Sequence, residues 1–229
     1  MHIKESVIII TAAGSPIGRR LALHFASLGT EIALIDTDID ALHVTYKDCI
    51  HYHHNVEVFH LQNTQQATIK QLLTSVYRRF GRFNILINSW PESADIPNLL
   101  APDAITSFTK VMCNGATTFF AFGNVAASFM QHTKLPALII NLAVKQPHHQ
   151  PQLPDTCKCV VQGLTQSWSK ELAEKNIRVG GIIPINSPTE ASNDTQIHAA
   201  LLDEIVSSIE YMIRNESFNG RVLEAESAI

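Results

Sequence analysis

The stretch Val7-Ile8-Ile9-Ile10-Thr11-Ala12-Ala13-Gly14-Ser15-Pro16-Ile17-Gly18 runs from an unbroken apolar segment into a turn of small residues. The apolar residues that follow recur at helical spacing and are Ile17, Leu21, Phe25 and Leu28. This order predicts a strand, a tight turn and a helix. Small residues let the backbone approach a pyrophosphate, and the amides and dipole of a helix N-terminus favour that anion. The predicted phosphate-binding residues are Gly14, Ser15, Ile17 and Gly18.

The second apolar segment ends at an acidic residue, Asp36, which lies 18 residues after Gly18. A carboxylate there can accept hydrogen bonds from both hydroxyls of an adenosine ribose, and its charge would repel a 2′-phosphate. Thr37 follows it, so the next residue is not a base that could bind such a phosphate. NAD is therefore the expected dinucleotide, in preference to NADP. The alternative is that Asp36 only caps the helix predicted over Asp38–Cys49.

Strand and helix patterns alternate along the whole chain. The strand-like segments are Val7–Ile10, Ile32–Ile35, Val56–Phe59, Ile85–Ile87, Leu138–Ile140, Val179–Ile183 and Val222–Leu223. Their apolar residues do not alternate with polar ones, which is typical of strands buried on both faces. Apolar stripes at helical spacing lie between them, for instance within residues 69–80, 161–172 and 202–213. We predict an α/β fold over residues 1–229: a single Rossmann-like domain, with a doubly wound parallel sheet of about seven strands and helices on both faces.

Composition limits the partners and the compartment. The chain has 229 residues, 45% of them hydrophobic, and 17 basic against 21 acidic residues give a net charge of −4. An acidic chain of this kind offers no basic stripe to nucleic acid or to an anionic membrane, so neither partner is expected. The apolar segments are far shorter than the roughly 20 residues of a membrane span. The first residues do not resemble a signal peptide, so a cytoplasmic location is expected.

Neither the histidines nor the cysteines predict a metal site. His51, His53 and His54 cluster at an expected helix end, where the helix dipole favours imidazoles. The four cysteines, which fit free thiols in a reducing compartment, are Cys49, Cys113, Cys157 and Cys159. Only Cys157 and Cys159 are close in sequence, and at i, i+2 on a helix they do not share a face.

Five segments, taken in order, form a recognisable set. They are Thr11–Gly18, Phe80–Asn88, Lys158–Thr165, Ile177–Val179 followed by Pro184 and Thr189, and Gly220–Glu224. Together they resemble the short-chain dehydrogenase/reductase family over nearly the whole chain. The first approximates the family turn T-G-x-x-x-G-x-G, with Ala12 and Pro16 in place of its first two glycines, and a proline suits the first turn of a helix. The second ends at Asn88, the only residue retained from the family's N-N-A-G motif.

The resemblance implies further cofactor-binding residues. Lys158 stands where the lysine of the family's Y-x-x-x-K motif holds the nicotinamide ribose, and Pro184 and Thr189 are spaced like the residues at the nicotinamide end. Gln62 stands where relatives have an aspartate that contacts adenine, and Asn88 completes the expected set. Trp90 replaces an alanine beside the adenine ribose, where it would anchor a loop or fill the cofactor groove.

The family transfers a hydride between nicotinamide and a carbonyl or alcohol, using a tyrosine, a lysine, a serine and an asparagine. By resemblance the tyrosine position is Pro154 and the serine position is Val144, and neither side chain has a hydroxyl. The asparagine position is Gly115, with Asn114 one residue away. Lys158 is thus the only one of the four catalytic residues retained, with ribose binding as its expected role and a solvated position on the helix as the alternative. The loop from Val144 to Pro154 is also shorter than in the family.

Three functions are consistent with these residues. The favoured one is a protein that binds NAD(H) with impaired or absent oxidoreductase activity, as a sensor or partner subunit. The second is an oxidoreductase whose proton donor is His148, His149 or Asp155. The third is an assembly protein that no longer binds cofactor. Relatives commonly form dimers through helices matching Asp103–Met130 and Lys158–Lys175 and tetramers through the last strand, so a homodimer or homotetramer is expected.

Overall fold

The strands form a single parallel sheet. The computed structural model describes residues 1–89, 99–133, 135–143, 155–185 and 194–226. The strands within them are β1 (Val7–Thr11), β2 (Glu31–Asp36), β3 (Val56–His60), β4 (Ile85–Ser89), β5 (Ala137–Leu142), β6 (Ile177–Ile185) and β7 (Val222–Glu226). Their order in the sheet is β3-β2-β1-β4-β5-β6-β7, and every neighbouring pair is parallel. The predicted doubly wound α/β sheet is confirmed, and its strand order reverses between β1 and β4.

Helices cover both faces of the sheet. They are α1 (Pro16–Ser27), α2 (Ile39–Cys49), α3 (Gln66–Phe80), α4 (Ala104–Asn114), α5 (Ala116–Met130), α6 (Asp155–Glu171) and α7 (Asp194–Arg214). Helices α3, α5 and α6 bury residues in a core that includes Ile9 of β1, whereas α1, α2 and α7 bury residues against Ile8 and Ile10. Successive β1 side chains therefore enter opposite cores, which is why the strand sequences are apolar without alternation. No helix in the described part of the chain is both long and apolar enough to cross a bilayer.

The packing of α5 on α6 depends on a glycine. A Cβ atom added at Gly123 would lie 2.4 Å from Cη2 of Trp168 and 2.5 Å from its Cζ3. The Trp168 ring is buried, stacks on Phe119 at a centroid distance of 6.2 Å, and meets the edge of Phe120 at 5.6 Å. Gly163 in α6 differs, because an added Cβ would meet nothing within 4 Å. One helical glycine is thus required by packing and the other is not.

A half-buried arginine binds the C-terminal end of α7. Nη1 of Arg178 in β6 donates to the carbonyl oxygens of Met212 at 2.9 Å, Asn215 at 2.9 Å and Phe218 at 3.0 Å. Met212 lies in the last turn of α7, where carbonyls lack partners within the helix, and Asn215 and Phe218 lie in the segment that follows it. The guanidinium therefore ties the end of α7 to that segment. Burial lowers the pKa of Arg178 from its usual value, because desolvation disfavours the charged form.

Two predicted helices differ from the sequence expectation. The helix expected over Asp103–Met130 is divided at Gly115, where φ is −85° and ψ is −72°, into α4 and α5. The helix expected over Lys158–Lys175 begins earlier, at Asp155, and ends at Glu171 before a short 3-10 turn. Apolar spacing runs unbroken through both junctions, which is why it did not reveal them. The predicted strands are all present, and most are longer by one or two residues.

Candidate functional site

The candidate site lies at the carboxyl ends of β1, β2 and β4, where the strand order reverses. Ligands of open parallel sheets bind in the crevice at such a point. Thr11, the last residue of β1, links two of these strands: its hydroxyl donates to the carbonyl of Ile87 at 3.3 Å and accepts from the amide of Ser89 at 2.8 Å. Thr45 of α2 donates to the carbonyl of Ala13 at 3.0 Å. The turn after β1 is therefore tied to both neighbouring elements.

Ser15 organises the predicted phosphate-binding turn. It is the N-cap of α1, and its Oγ accepts from the amide of Gly18 at 3.0 Å and donates to the carbonyl of Ala12 at 2.7 Å. Pro16 occupies the first position of the helix, as expected. Of the first three residues of α1, Pro16 has no amide hydrogen and Gly18 uses its own in the cap. The amide of Ile17 is the remaining donor of that turn, and its side chain is buried in the core.

Close backbone contacts explain the glycines in this turn. A Cβ at Gly18 would lie 2.1 Å from the carbonyl oxygen of Ala12, so only glycine fits. A Cβ at Gly14 would lie 2.7 Å from Cβ of Ala41 in α2 and 3.1 Å from Oδ2 of Asp36. Ala12 itself has a φ of 51°, a left-handed conformation that costs a non-glycine residue about 1–2 kcal/mol. The four predicted turn residues are thus brought together, with strain at the position where the family turn has glycine.

The carboxylate of Asp36 faces this turn. Oδ2 accepts from the amide of Gly14 at 2.8 Å, and Oδ1 accepts from the amide of Asp38 at 3.1 Å. The side chain is half-buried at the end of β2. The alternative role as helix cap does not hold, because the N-cap of α2 is Asp38, whose side chain accepts from the amides of Asp40 and Ala41. Asp36 is therefore held at the strand end beside Gly14.

Asn88 is directed into the protein interior. It is fully buried at the end of β4, and its Nδ2 donates to the carbonyl of Phe119 at 3.0 Å and to Oδ1 of Asn141 at 3.4 Å. Asn141 in turn donates to Oγ1 of Thr165 at 3.1 Å. This chain of polar groups joins β4, β5, α5 and α6. Among the described atoms, Oδ1 of Asn88 has no hydrogen-bond partner.

The remaining predicted residues lie near the carboxyl ends of other strands, in the helices, or outside the described residues. Gln62 is exposed just after β3, Pro184 is buried near the end of β6, and Lys158 is half-buried near the start of α6. Gly115, the expected asparagine position, is buried at the junction of α4 and α5. Several predicted positions lie outside the described residues: Trp90, Val144, His148, His149, Pro154 and Thr189.

The cysteines and the histidine cluster lie away from this site. Cys49 is buried at the end of α2, where burial and then the charge of Asp48 raise the pKa of its thiol to about 12. Cys113 and Cys159 are exposed. The cluster of His51, His53 and His54 lies between α2 and β3, at the amino ends of the strands and so away from the site at their carboxyl ends. The described residues contain no group of three or more histidine, cysteine, aspartate or glutamate residues that could hold a metal.

Sequence reasoning missed one residue beside Asp36. His60, the last residue of β3, pairs in register with Asp36, and its Nε2 lies 3.1 Å from the carbonyl oxygen of Thr37. The available signal was that it directly follows the predicted strand Val56–Phe59. Strand order was needed as well, since only the adjacency of β2 and β3 places His60 there.

The sheet order, the capped turn and the strand-end carboxylate together define a domain of the dinucleotide-binding class. The family model described as short chain dehydrogenase matches residues 6–199. The chain therefore belongs to the short-chain dehydrogenase family, as its motifs predicted.

Among curated relatives, a 3-oxoacyl-(acyl-carrier-protein) reductase from Thermotoga maritima is 25% identical over 186 residues, which are 80% of this chain and 75% of that protein. Sorbitol-6-phosphate 2-dehydrogenase from Klebsiella pneumoniae is 24% identical over 201 residues, with 80% and 70% covered.

Solved structures of similar proteins share the fold over the whole chain. A short-chain type dehydrogenase/reductase from Mycobacterium marinum has a TM-score of 0.81 at 20% identity and covers 99% of this chain and 98% of its own. A 3-ketoacyl-(acyl-carrier-protein) reductase from Brucella melitensis, complexed with NADH, has a TM-score of 0.78 at 18% identity, with 97% of each chain covered.

Proposed function

We propose that this chain binds NAD(H) at the carboxyl ends of β1, β2 and β4 and acts through that binding, with impaired or absent oxidoreductase activity. The observation that carries the first half is the Asp36 carboxylate, which lies 2.8 Å from the Gly14 amide beside the Gly18 turn. The family membership and the NADH-bound structure of the Brucella melitensis relative support a nicotinamide dinucleotide as the ligand.

The residues at the site fit such a cofactor. The turn of Gly14, Ser15, Ile17 and Gly18 would face the pyrophosphate, and the missing side chain of Gly18 permits its close path. The amide of Ile17 would donate to the anion, because the amides of the other three residues donate within the protein. Asp36 would accept from the adenosine ribose, and Gln62 would lie on the adenine side. The residues assigned to the nicotinamide half are Lys158, Pro184 and Thr189, with Asn88 supporting the strand end between the two halves. Pro16 removes one amide from the anion site, so we expect weaker pyrophosphate binding than a glycine would give.

Charge favours NAD over NADP. A 2′-phosphate on the ribose would approach Asp36, and Asp38 and Asp40 follow in the same segment. Thr37 offers no positive charge to offset this repulsion. Bringing like charges together at a partly buried site disfavours binding, so NADP should bind more weakly.

The second half of the proposal rests on the missing hydroxyls. Carbonyl reduction by the nicotinamide needs a proton delivered to the substrate oxygen. Pro154 has no transferable proton and Val144 has no hydroxyl to bind that oxygen. When bound, the cofactor would supply hydride chemistry. Lys158, the one catalytic residue retained, would hold the cofactor but would not provide the substrate's proton. A protein of this kind can report the NAD state or serve as a binding subunit.

Calorimetric titration with NAD, NADH and NADP tests the binding half. The expected result is saturable NAD(H) binding that is stronger than NADP binding. Asp36→Asn should weaken NAD by about tenfold or more, the worth of a hydrogen bond to a charged group. Asp40→Asn removes the same charge from an exposed residue four positions on and should leave NAD affinity nearly unchanged. No binding at millimolar NAD would refute this half.

Turnover is tested separately with a panel of carbonyls and alcohols, followed by NADH absorbance. We expect rates no higher than in the absence of protein. Turnover that disappears on changing His148, His149 or Asp155 to alanine would replace the proposal with an oxidoreductase that uses a different proton donor.

We also propose that two copies pair through α4, α5 and α6. Helix α5 contains no charged residue, yet Phe120 on it is 48% exposed and Phe108 on α4 is 42% exposed. An uncharged face does not repel its own copy, and exposed aromatic residues are typical of interfaces. Phe120→Glu should shift the mass measured by light scattering towards the monomer. Tyr211 on α7 is a matched control, since it is 49% exposed and also meets a buried ring at its edge, and Tyr211→Glu should leave the mass unchanged.

A further inference from the structure

The end of β3 forms hydrogen bonds to the segment that carries Asp36. Asp36 and His60 are the last residues of adjacent strands and pair in register. Nε2 of His60 donates to the carbonyl oxygen of Thr37 at 3.1 Å. A carbonyl oxygen only accepts, so the proton of this hydrogen bond lies on Nε2.

Two neighbouring residues thus hold two neighbouring carbonyls. The amide of Leu61 donates to the carbonyl of Asp36 at 2.8 Å, while the ring of His60 holds the carbonyl of Thr37. The Asp36 carboxylate is then oriented from its other side by the amides of Gly14 and Asp38. Leu61 is buried and its bond is part of the main chain, whereas His60 is exposed and its bond comes from a replaceable side chain.

A fixed acceptor binds a ligand more strongly than a mobile one, because less ordering is required on binding. The exposed Thr37 follows Asp36 directly, so backbone motion at Thr37 would also move the Asp36 side chain. His60 restrains that residue from the neighbouring strand. It does so at the surface, where it contributes no buried area to the core.

We propose that His60 is a positioning residue for the ribose-binding carboxylate, acting on Asp36 through the carbonyl of Thr37. This rests on the proposed function, in which Asp36 binds the adenosine ribose of NAD. His60 need not touch the ribose for this role. Its contribution should appear only for ligands that carry the ribose hydroxyls.

The test compares NAD with an NAD analogue that lacks both hydroxyls of the adenosine ribose. His60→Leu should weaken NAD about three- to tenfold, the range expected for one neutral hydrogen bond, and should change the analogue less than about twofold. His60→Gln should restore NAD affinity to within about twofold, because its amide N–H can donate to Thr37. His54→Leu is the control, since it removes an exposed histidine before the amino end of β3 and should affect neither ligand.

Each outcome is decisive for the proposal. Equal losses for NAD and the analogue would show that His60 acts on the fold in general, and no loss for NAD would show that Thr37 needs no restraint. Either result overturns the positioning role. If Asp36→Asn loses NAD affinity while His60→Leu does not, this inference fails and the proposed function stands. If the unaltered protein does not bind NAD, both fail.

Discussion

The two helical glycines Gly123 and Gly163 predict opposite effects of the same substitution. Alanine is favoured over glycine in a helix interior by about 0.8–1 kcal/mol. Gly163→Ala should gain this amount, since its Cβ meets nothing within 4 Å. Gly123→Ala gains the same helix term but places a methyl carbon 2.4 Å from Cη2 of Trp168, more than 1 Å inside a normal carbon contact.

The cost at Gly123 follows from how Trp168 is held. The ring is buried between Phe119 and Phe120, so relief requires moving three aromatic side chains. Overpacking of a core costs about 1–3 kcal/mol. Taking the upper end for a contact this short, and subtracting the helix gain, the free energy of unfolding of Gly123→Ala should fall by about 2 kcal/mol. The two variants should then differ by about 3 kcal/mol, or roughly 6–12 °C in Tm for a chain of this size.

Urea denaturation followed by circular dichroism measures both variants. Each is measured at two protein concentrations, since a change in association would make the midpoint depend on concentration. A Gly123→Ala protein as stable as the unaltered one would refute the packing argument. A destabilised Gly163→Ala protein with a concentration-independent midpoint would refute the claim that its surroundings are open.

Further outcomes follow from other described contacts. Ala12→Gly should raise the free energy of unfolding by about 0.5–1 kcal/mol in urea denaturation, because relief of the left-handed strain exceeds the entropy cost of glycine; a loss would contradict this. Arg178→Met should lower it by about 2–4 kcal/mol in the same assay, since the carbonyls of Met212 and Phe218 lose their donor and that of Asn215 loses one of two, and a loss below 1 kcal/mol would contradict this role. A thiol reagent at pH 8 should label Cys113 and Cys159 in the native protein but Cys49 only in denaturant, because a thiol with a pKa of about 12 is hardly ionised; rapid native labelling of Cys49 would contradict its burial. The stabilising preference for the protonated Cys49 thiol should be lost as the pH rises from 9.0 towards 12, which pH-dependent urea denaturation would show as falling stability.

The sheet was predictable because its information is local. The central strands are short and largely apolar runs, so their positions could be read without knowing their neighbours, and the edge strands β3 and β7 still carry such a run beside Glu57 and Glu224. The turn from Thr11 to Gly18 was also predictable, since a strand, small residues and a helix follow one another directly. Asp36 lies at the end of β2 for the same reason.

The parts that were missed depend on contacts between distant segments. The division at Gly115 leaves the apolar spacing unchanged, so α4 and α5 looked like one helix. His60 acquires its role only when β3 lies beside β2. Asp36 was one candidate for the N-cap of α2, but the N-cap is Asp38. Asp36 pairs with His60 in the sheet, and a residue paired in a strand cannot also begin the helix.

The buried amides of Asn88 and Asn141 have a consequence for how the sheet assembles. Asn88 pairs in register with Asn141, and the flanking residues of β4 and β5 are almost all apolar. Sliding β5 by two residues would keep every side chain on its own face and cost little in apolar contact. It would, however, break the bond between the two amides and carry Asn141 away from Thr165, while Asn88 would keep the carbonyl of Phe119. Leaving Asn141 buried without these partners would cost about 1–3 kcal/mol. The pair therefore favours the observed register of β4 and β5 over others that the apolar residues alone would allow.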